Sequence, residues 1–277
     1  MRLLFIGDIV ARPGRDLVRR HLRALARHHE VDLVIANGEN AAGGAGITKD
    51  IADDFLRDGV DVLTSGNHIW DKREALTYIV NEPRLLRPAN YPAAVPGRGR
   101  VVTRAARGIP VGVINIMGRV FLANLDDPFA VVKDEIAQVK AEGARIVFVD
   151  FHAETTSEKI AMGWFLDGEV TAVIGTHTHV QTADARILPQ GTAYLTDVGM
   201  TGPHDGVIGM DRTGVLARFT TGVPARFEPA SGDPRLHAVL IDADEQSGRA
   251  TAIRTLSLQA SDLAALAAAS EPVSSTP

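Results

Sequence analysis

The chain has 277 residues, 45% of them hydrophobic, and a formal charge of −5, enough apolar content for a core in one large domain or two small ones. It contains no cysteine, which excludes disulfides, thiolate nucleophiles and cysteine-bound zinc or iron–sulfur centres, so any metal must be held by nitrogen and oxygen. The negative balance argues against broad attraction to nucleic acid and leaves room only for a local RNA- or protein-binding patch.

The start, "MRLLFIGD", carries one positive charge and an apolar run that ends at Asp8. That run is too short for a secretory segment or a membrane span, so a cytoplasmic protein with no membrane partner is expected. "RLLFIG" reads as a strand, and Pro13 sits where a helix opens. Leu17, Val18, Leu22 and Leu25 then form one stripe of an amphipathic helix, and Arg15, Arg19, Arg23 and Arg27 another, read as a solvated face. "LVIAN" is a second strand, Thr48 to Asp58 a helix closed by Gly59, and "VLTS" a third strand. Asp71 with Glu74 resembles a capping box at the start of another helix. This rhythm of strand and helix implies βαβ units around a largely parallel sheet.

Further on, "VVTRAA" and "VGVINIM" flank "RGIP" as a hairpin. A helix over Val131 to Glu142 leads to the strand "IVFVDFH", and a helix over residues 157 to 167 leads to "AVIG". The last segments, "AYLTDVG", "LHAVLIDAD" and "ATAIRTLSL", are strand-rich with hairpin spacing. Two packed sheets with helices outside are therefore expected over residues 1–259. From Ala260 to residue 277 the rising Ala, Ser and Pro content predicts a loosely held tail.

Five of these strands finish in polar clusters. They are Gly7-Asp8, Asn37-Gly38-Glu39-Asn40, Gly66-Asn67-His68, Asp150-Phe151-His152-Ala153-Glu154 and Gly175-Thr176-His177-Thr178-His179. Singly, each such residue is ordinary turn or cap chemistry. Ligands in open α/β sheets bind beyond the carboxyl ends of strands, so clusters at equivalent ends should meet in space. In extended backbone His177 and His179 point the same way. Carboxylates, amides and imidazoles together fit nitrogen and oxygen metal ligation. So many donors suit two ions about 3.5–4 Å apart, which lower the pKa of a trapped water and neutralise charge on a phosphate. Hydrolysis of a phosphate ester follows.

The stretches "GDIV", "NGEN", "GNH", "DFHAE" and "GTHTHVQT" resemble the calcineurin-like metallophosphoesterase superfamily, and in detail its YmdB-like branch of bacterial cyclic-nucleotide phosphodiesterases. The likeness runs from Arg2 to about Leu258. "NAAGGAGIT", "TDVGMTGP" and "VIGMDR" are similar to further signatures of the branch. The resemblance implies a four-layer α/β/β/α sandwich of two mixed sheets flanked by helices. It further implies that Asp8, bridging Glu39 and His179 bind one ion, that Asn67, His152 and His177 bind the other beside the bridge, and that His68 protonates the leaving oxygen while hydroxide generated at the ions attacks phosphorus. The superfamily's usual Asp-x-His is absent, since Ile9 and Val10 follow Asp8, and Asn40 is either the replacement ligand or a partner that orients ligands.

Iron or manganese is expected, with zinc compatible with the same donors. The expected substrate is a small phosphodiester or nucleotide, 2′,3′-cyclic nucleotides being favoured by the resemblance alone, and a homo-oligomer is compatible with it. Two rival readings stand: a phosphomonoesterase or protein phosphatase using the same ions, and a non-catalytic regulator that grips RNA or a protein. "TDVGMTGPHDG" either cradles a phosphate or ribose through backbone N–H groups or is a structural turn.

Overall fold

The computed structural model describes residues 1–269. In chain order, β1 (Arg2–Ile6) and a two-residue β2 (Asp8–Ile9) lead into α1 (Ala11–His28), followed by β3 (Leu33–Asn37), α2 (Lys49–Asp58), β4 (Val62–Thr64) and α3 (Ala75–Asn81). The middle of the chain forms β5 (Arg100–Arg104), β6 (Pro110–Met117), α4 (Pro128–Ala141), β7 (Ile146–His152), α5 (Thr156–Phe165) and β8 (Ala172–Thr176). Short β9 (Arg186–Ile187), β10 (Ala193–Leu195) and β11 (Met200–Pro203) precede α6 (Arg212–Thr221), long β12 (Pro234–Ala243) and β13 (Ala250–Gln259), and α7 (Ala260–Ala269).

Two sheets result. The first runs β2-β11-β12-β1-β3-β4 with β13 on β12, and the second runs β5-β6-β7-β8-β10-β9. β1, β3 and β4 are mutually parallel, as are β6, β7, β8 and β10. Alternation along each strand explains the layering. Leu3 and Phe5 of β1 pack between the sheets with Ile146 and Phe148 of β7, the Phe5 and Phe148 rings lying 4.8 Å apart. Leu4 and Ile6 face the other way, onto Leu17, Val18, Leu22 and Leu25 of α1. On the second sheet's outer face Val147, Val149 and Phe151 meet Val132, Ile136 and Val139 of α4 and Met162 of α5. These three apolar layers separate helices, sheet, sheet and helices: the α/β/β/α sandwich.

Local signals set several boundaries. Thr48 caps α2 by accepting from the Ile51 N–H, and Gly59 closes it in the left-handed region at φ 117°. The arginine stripe of α1, which the sequence presents as a solvated face, also has structural duties, at Arg15, which donates to the Ala41 carbonyl, and at Arg23. Arg23 donates to the carbonyls of Arg57 and Asp58 at 2.8 and 3.3 Å, serving the C-terminal end of α2.

Other expectations need correction. No side chain caps α3 at Glu74, because Asp71 is bonded instead to His68 Nδ1 at 2.8 Å. "AYLTDVG" is not one strand: β10 joins the second sheet, Gly199 turns at φ 83°, and β11 joins the first. The tail expected from Ala260 is helical as far as Ala269, since Leu263 is buried in the core beneath α1. Residues 270–277 of that expectation lie outside the described residues.

Candidate metal centre

Parallel pairing carries the ends of β1, β3 and β4 to one edge of the first sheet, and those of β7 and β8 to the matching edge of the second. There the dry contact between the sheets gives way to polar contact. Asn115 on β6 donates to the Ser65 carbonyl at 2.9 Å and accepts from the Ser65 N–H at 3.0 Å. Asn37, ending β3, donates to Asp150 Oδ2 at 3.1 Å. Both pairs stitch one sheet to the other just below the clustered side chains.

His152 is the centre of the cluster and is fully buried. Thr176 gives its hydroxyl proton to Asp150 Oδ1 at 2.7 Å, so it accepts from His152 Nδ1–H at 2.9 Å. That fixes the ring and aims Nε2 at the cleft, as a carboxylate-backed ligand histidine requires. Around this one nitrogen stand Asn67 Oδ1 at 2.9 Å, His177 Nδ1 at 3.0 Å and Glu39 Oε1 at 3.1 Å. Ligand atoms of Glu39, His152 and His177 all lie within 4.8 Å of one another, a grouping able to hold a metal ion. Gly66 leaves room for it: a Cβ there would sit 2.2 Å from His152 Nε2 and 2.5 Å from Glu39 Oε2.

The other expected residues are arranged around this group. Buried Asp8 accepts from the His177 N–H through Oδ2 at 3.1 Å. His179 Nδ1–H donates to the Ile208 carbonyl at 3.0 Å, which leaves its Nε2 as the free lone pair. Asn40 Nδ2 donates to the Gly44 carbonyl at 3.1 Å. Asp8 Oδ1 and Asn40 Oδ1 are buried oxygens without a hydrogen-bond partner, and buried Glu39 Oε1 faces His152 Nε2. Buried oxygens of this kind are costly unless something positive meets them, so the donor set fits cations. His177 and His179 both hold positive φ, 96° and 65°, unusual for a residue with a Cβ and typical of functional sites.

Electrostatics points the same way. Burial alone would depress the His152 imidazolium, but Glu39, Asp8 and Asp150 outweigh it and push its pKa up to about 9. Burial opposes ionisation of Glu39, yet the His152 charge and close contacts with His152 and His68 hold it down at about 2. Burial raises Asp8 well above the usual carboxylate range, and burial with the neighbouring His152 charge pushes His177 down to about 3. Without a metal the site thus keeps a proton on His152 where negative charge is concentrated.

A cleft of about 480 Å³ opens over the cluster, lined by Glu39, Asn40, His68, His177 and His179 on its polar side and by Ile208, Met210 and Phe227 on its apolar side. His68 is partly exposed there, its Nδ1 occupied by Asp71 and its backbone N–H on Glu39 Oε2 at 3.1 Å.

Several supporting residues escape sequence reasoning. Asp197 is fully buried and accepts from Thr178 N–H at 3.1 Å, Thr178 Oγ1–H at 2.7 Å and Lys159 Nζ at 2.7 Å, clamping the turn between the two histidines. Its other oxygen accepts from the Gly199 N–H at 2.8 Å. The "TDVG" stretch is therefore a brace behind the site. Only pairing with a helix 38 residues earlier in the chain reveals this role. Asp71 is legible as a polar residue three after His68, but its spacing to Glu74 reads as a cap. Glu154, legible from the sequence as a residue that orients His152 or caps the following helix, instead contacts His177 Nε2 at 3.0 Å, and Thr155 takes the N-cap position of α5.

A two-sheet sandwich whose seam gathers carboxylates, amides and imidazoles over a cleft is the metallophosphoesterase fold. Within that class the chain belongs to the YmdB-like protein family, whose model matches residues 4–256. A protein of Bacillus subtilis named 2′,3′-cyclic-nucleotide 2′-phosphodiesterase is 50% identical over 92% of this chain and 96% of its own. Among solved structures, a hypothetical protein from Thermus thermophilus superposes with a TM-score of 0.86 at 42% identity, covering 94% of this chain and 99% of that one. A structure described as a novel phosphatase from Mycoplasma pneumoniae gives 0.87 at 32% identity, covering 94% and 93%.

Proposed function

We propose that this phosphoric ester hydrolase is a dinuclear-metal phosphodiesterase of small phosphodiesters, 2′,3′-cyclic nucleotides first among them. The observation that carries this reading is the crowding of three ligand atoms around His152 Nε2 beside buried oxygens of Asp8 and Asn40 that have no hydrogen-bond partner. One ion would be held by Asp8, Glu39 and His179 with the Asn40 oxygen, the other by Glu39, Asn67, His152 and His177. Such ions, iron or manganese with zinc compatible, polarise phosphoryl oxygens and make water nucleophilic near neutral pH. The name of the Bacillus relative supports a cyclic diester as substrate.

The chain's own residues do the rest. Burial excludes bulk water from the ligands, and the Thr176–Asp150 and Asp197–Lys159 contacts hold the imidazoles in place. As the bond from phosphorus to one ribose oxygen breaks, His68 donates a proton to that oxygen from Nε2, while Asp71 holds Nδ1–H and keeps the ring oriented. A protein with this role works in the cytoplasm on soluble nucleotides.

The test is elemental analysis of purified protein together with rates on 2′,3′-cyclic AMP and on a phosphoserine peptide. The reading requires two metal equivalents and a preference for the diester; faster release of phosphate from the peptide would favour a protein phosphatase, and nucleotide binding without product a regulator. His68→Ala should lower turnover by about 10²–10⁴-fold with metal content unchanged. Full turnover by that variant would remove His68 from the proton transfer.

A further inference from the structure

The cleft over the metal centre does not stop at its own rim. Gly43 lines it and also lines a second cavity of about 620 Å³, whose walls include Arg12, Arg15, Arg20 and His21 of α1. Gly43 has φ 74°, and nothing lies within 4 Å of the place a Cβ would occupy, so at this shared wall residue no side chain stands between the two spaces. Arg15 donates to the Ala41 carbonyl and so anchors the loop that carries Asn40 and Gly43.

The second cavity is basic in an acidic protein. Asp16 is its one carboxylate against three arginines, while the whole chain carries −5. Asp16 sits 3.6 Å from Arg12 and 3.8 Å from Arg20, pairs whose arginines are 82% and 69% exposed. Exposed pairs of this kind are weak, and each guanidinium keeps donors free for an anion. Nδ1 of His21 is buried without a partner. The apolar wall of Ile208, Met210 and Phe227 faces the metal ligands in the first cleft. An apolar, partly aromatic surface beside a cationic groove is the combination that holds single-stranded nucleic acid, bases stacking on one and phosphates tracking the other.

We propose that the protein acts on a 2′,3′-cyclic phosphate at the end of a short RNA. The terminal nucleotide occupies the metal cleft with its base against Ile208, Met210 and Phe227, and the preceding phosphodiester lies in the arginine cavity beyond Gly43. A free mononucleotide fills only the first space. The reaction is unchanged: water adds to phosphorus, one ribose oxygen leaves with a proton, and no co-substrate is consumed. The inference rests on the phosphodiesterase reading above and adds the class of molecule that presents the diester. It places the enzyme after a reaction that cleaves RNA by attack of the 2′-hydroxyl, since such cleavage generates cyclic ends.

The test compares metal-replete protein on 2′,3′-cyclic AMP and on a trinucleotide with the same cyclic terminus, at about 50 and about 200 mM salt. The trinucleotide should show a KM at least about tenfold lower at low salt, rising with salt at a logarithmic slope of about 0.7 per phosphate engaged. Arg12→Gln/Arg20→Gln should raise the trinucleotide KM and flatten its slope, leaving kcat and KM for cyclic AMP unchanged. Equal KM values and slopes for the two substrates in wild-type protein would overturn the inference while leaving the phosphodiesterase reading intact. A variant that shifts both substrates alike would overturn it too. If wild-type protein hydrolyses neither, the phosphodiesterase reading itself has failed.

Discussion

The two sheets contribute opposite chemistry to the seam where they meet. Strand ends of the first deliver oxygen donors, Asp8, Glu39, Asn40 and Asn67, whereas those of the second deliver imidazoles, His152, His177 and His179. In the proposed centre, neither sheet alone would supply enough ligands for two ions. The oxygen half carries the negative charge, and the nitrogen half carries the fixed geometry, each ring being held at Nδ1 or at the backbone by a neighbour. The proposed centre would exist only where the sandwich is closed, which would couple metal binding to tertiary structure instead of to any one motif.

Breaking either half should cost the most. Asp8→Ala removes a buried carboxylate from the oxygen side and His152→Ala the central imidazole from the nitrogen side. Each should lower metal content and reduce turnover by at least about a thousandfold, in keeping with the several kcal/mol an ion contributes to phosphoryl chemistry. Metal analysis and initial rates on one preparation decide it, and retention of the wild-type metal content by either variant would break the division of labour drawn here.

A smaller effect separates ligands from their supports. Asp197→Asn keeps size but puts an amide among four donors and leaves Lys159 buried without a counter-charge. Stability should fall by about 3–5 kcal/mol, and metal affinity by about 10–100-fold. Adding Lys159→Met removes the stranded charge, so the double variant should recover thermal stability but not metal affinity. Recovery of both would make Asp197 a purely structural partner of Lys159.

The charge asymmetry of the two halves also sets a pH dependence for metal removal. In the chelated protein His152 is raised from 6.5 to about 9. A raised histidine contributes stability that is fully present below its unfolded pKa and is lost as pH climbs through its folded one. Asp8, raised by burial, acts in the same direction. Metal-free protein should therefore weaken between about pH 6.5 and 9, while a cation, which displaces the proton, keeps the loaded form stable. The gain in melting temperature on adding manganese should be larger at about pH 9 than at about pH 6. A gain that shrinks with rising pH would show that His152 is not the proton's seat.

How much of this is readable from sequence depends on where the determining contact lies in the chain. Donors at strand ends are legible because a strand announces itself by apolar run length, and whatever follows it must emerge at one edge of a parallel sheet. The layering is legible for a similar reason, since Leu3/Phe5 and Leu4/Ile6 alternate between two apolar environments. Asp197 is not: its sequence surroundings are those of a glycine turn, and its work is defined by Lys159 and Thr178, both distant along the chain. Helix α6 is hidden as well. Only Val215 of it is buried, so little apolar periodicity marks it, and its start rests on Asp211 accepting from the Thr213 N–H at 2.9 Å.

Helix α7 is the instructive failure, and it supplies the smallest expected effect on the seam. Its composition reads as a loose tail because alanines give no amphipathic contrast, yet alanine is also the strongest helix former. What orders the segment is packing on the core: Leu263, 1% exposed, is the main anchor in the layer beneath α1, with Ala260 and Leu266 partly buried against the same cluster. Leu263→Ala should cost about 2–5 kcal/mol of stability as a buried truncation. Because this anchor lies in the outer layer of the first sheet, away from the strand ends, metal content and turnover of cyclic AMP should match wild type at temperatures where the variant is folded. Thermal unfolding beside metal analysis makes the distinction. Loss of metal at such temperatures would mean that the outer helical layer helps to set the spacing of the two sheets at their seam, and the separation between scaffold and centre would have to be redrawn through α1.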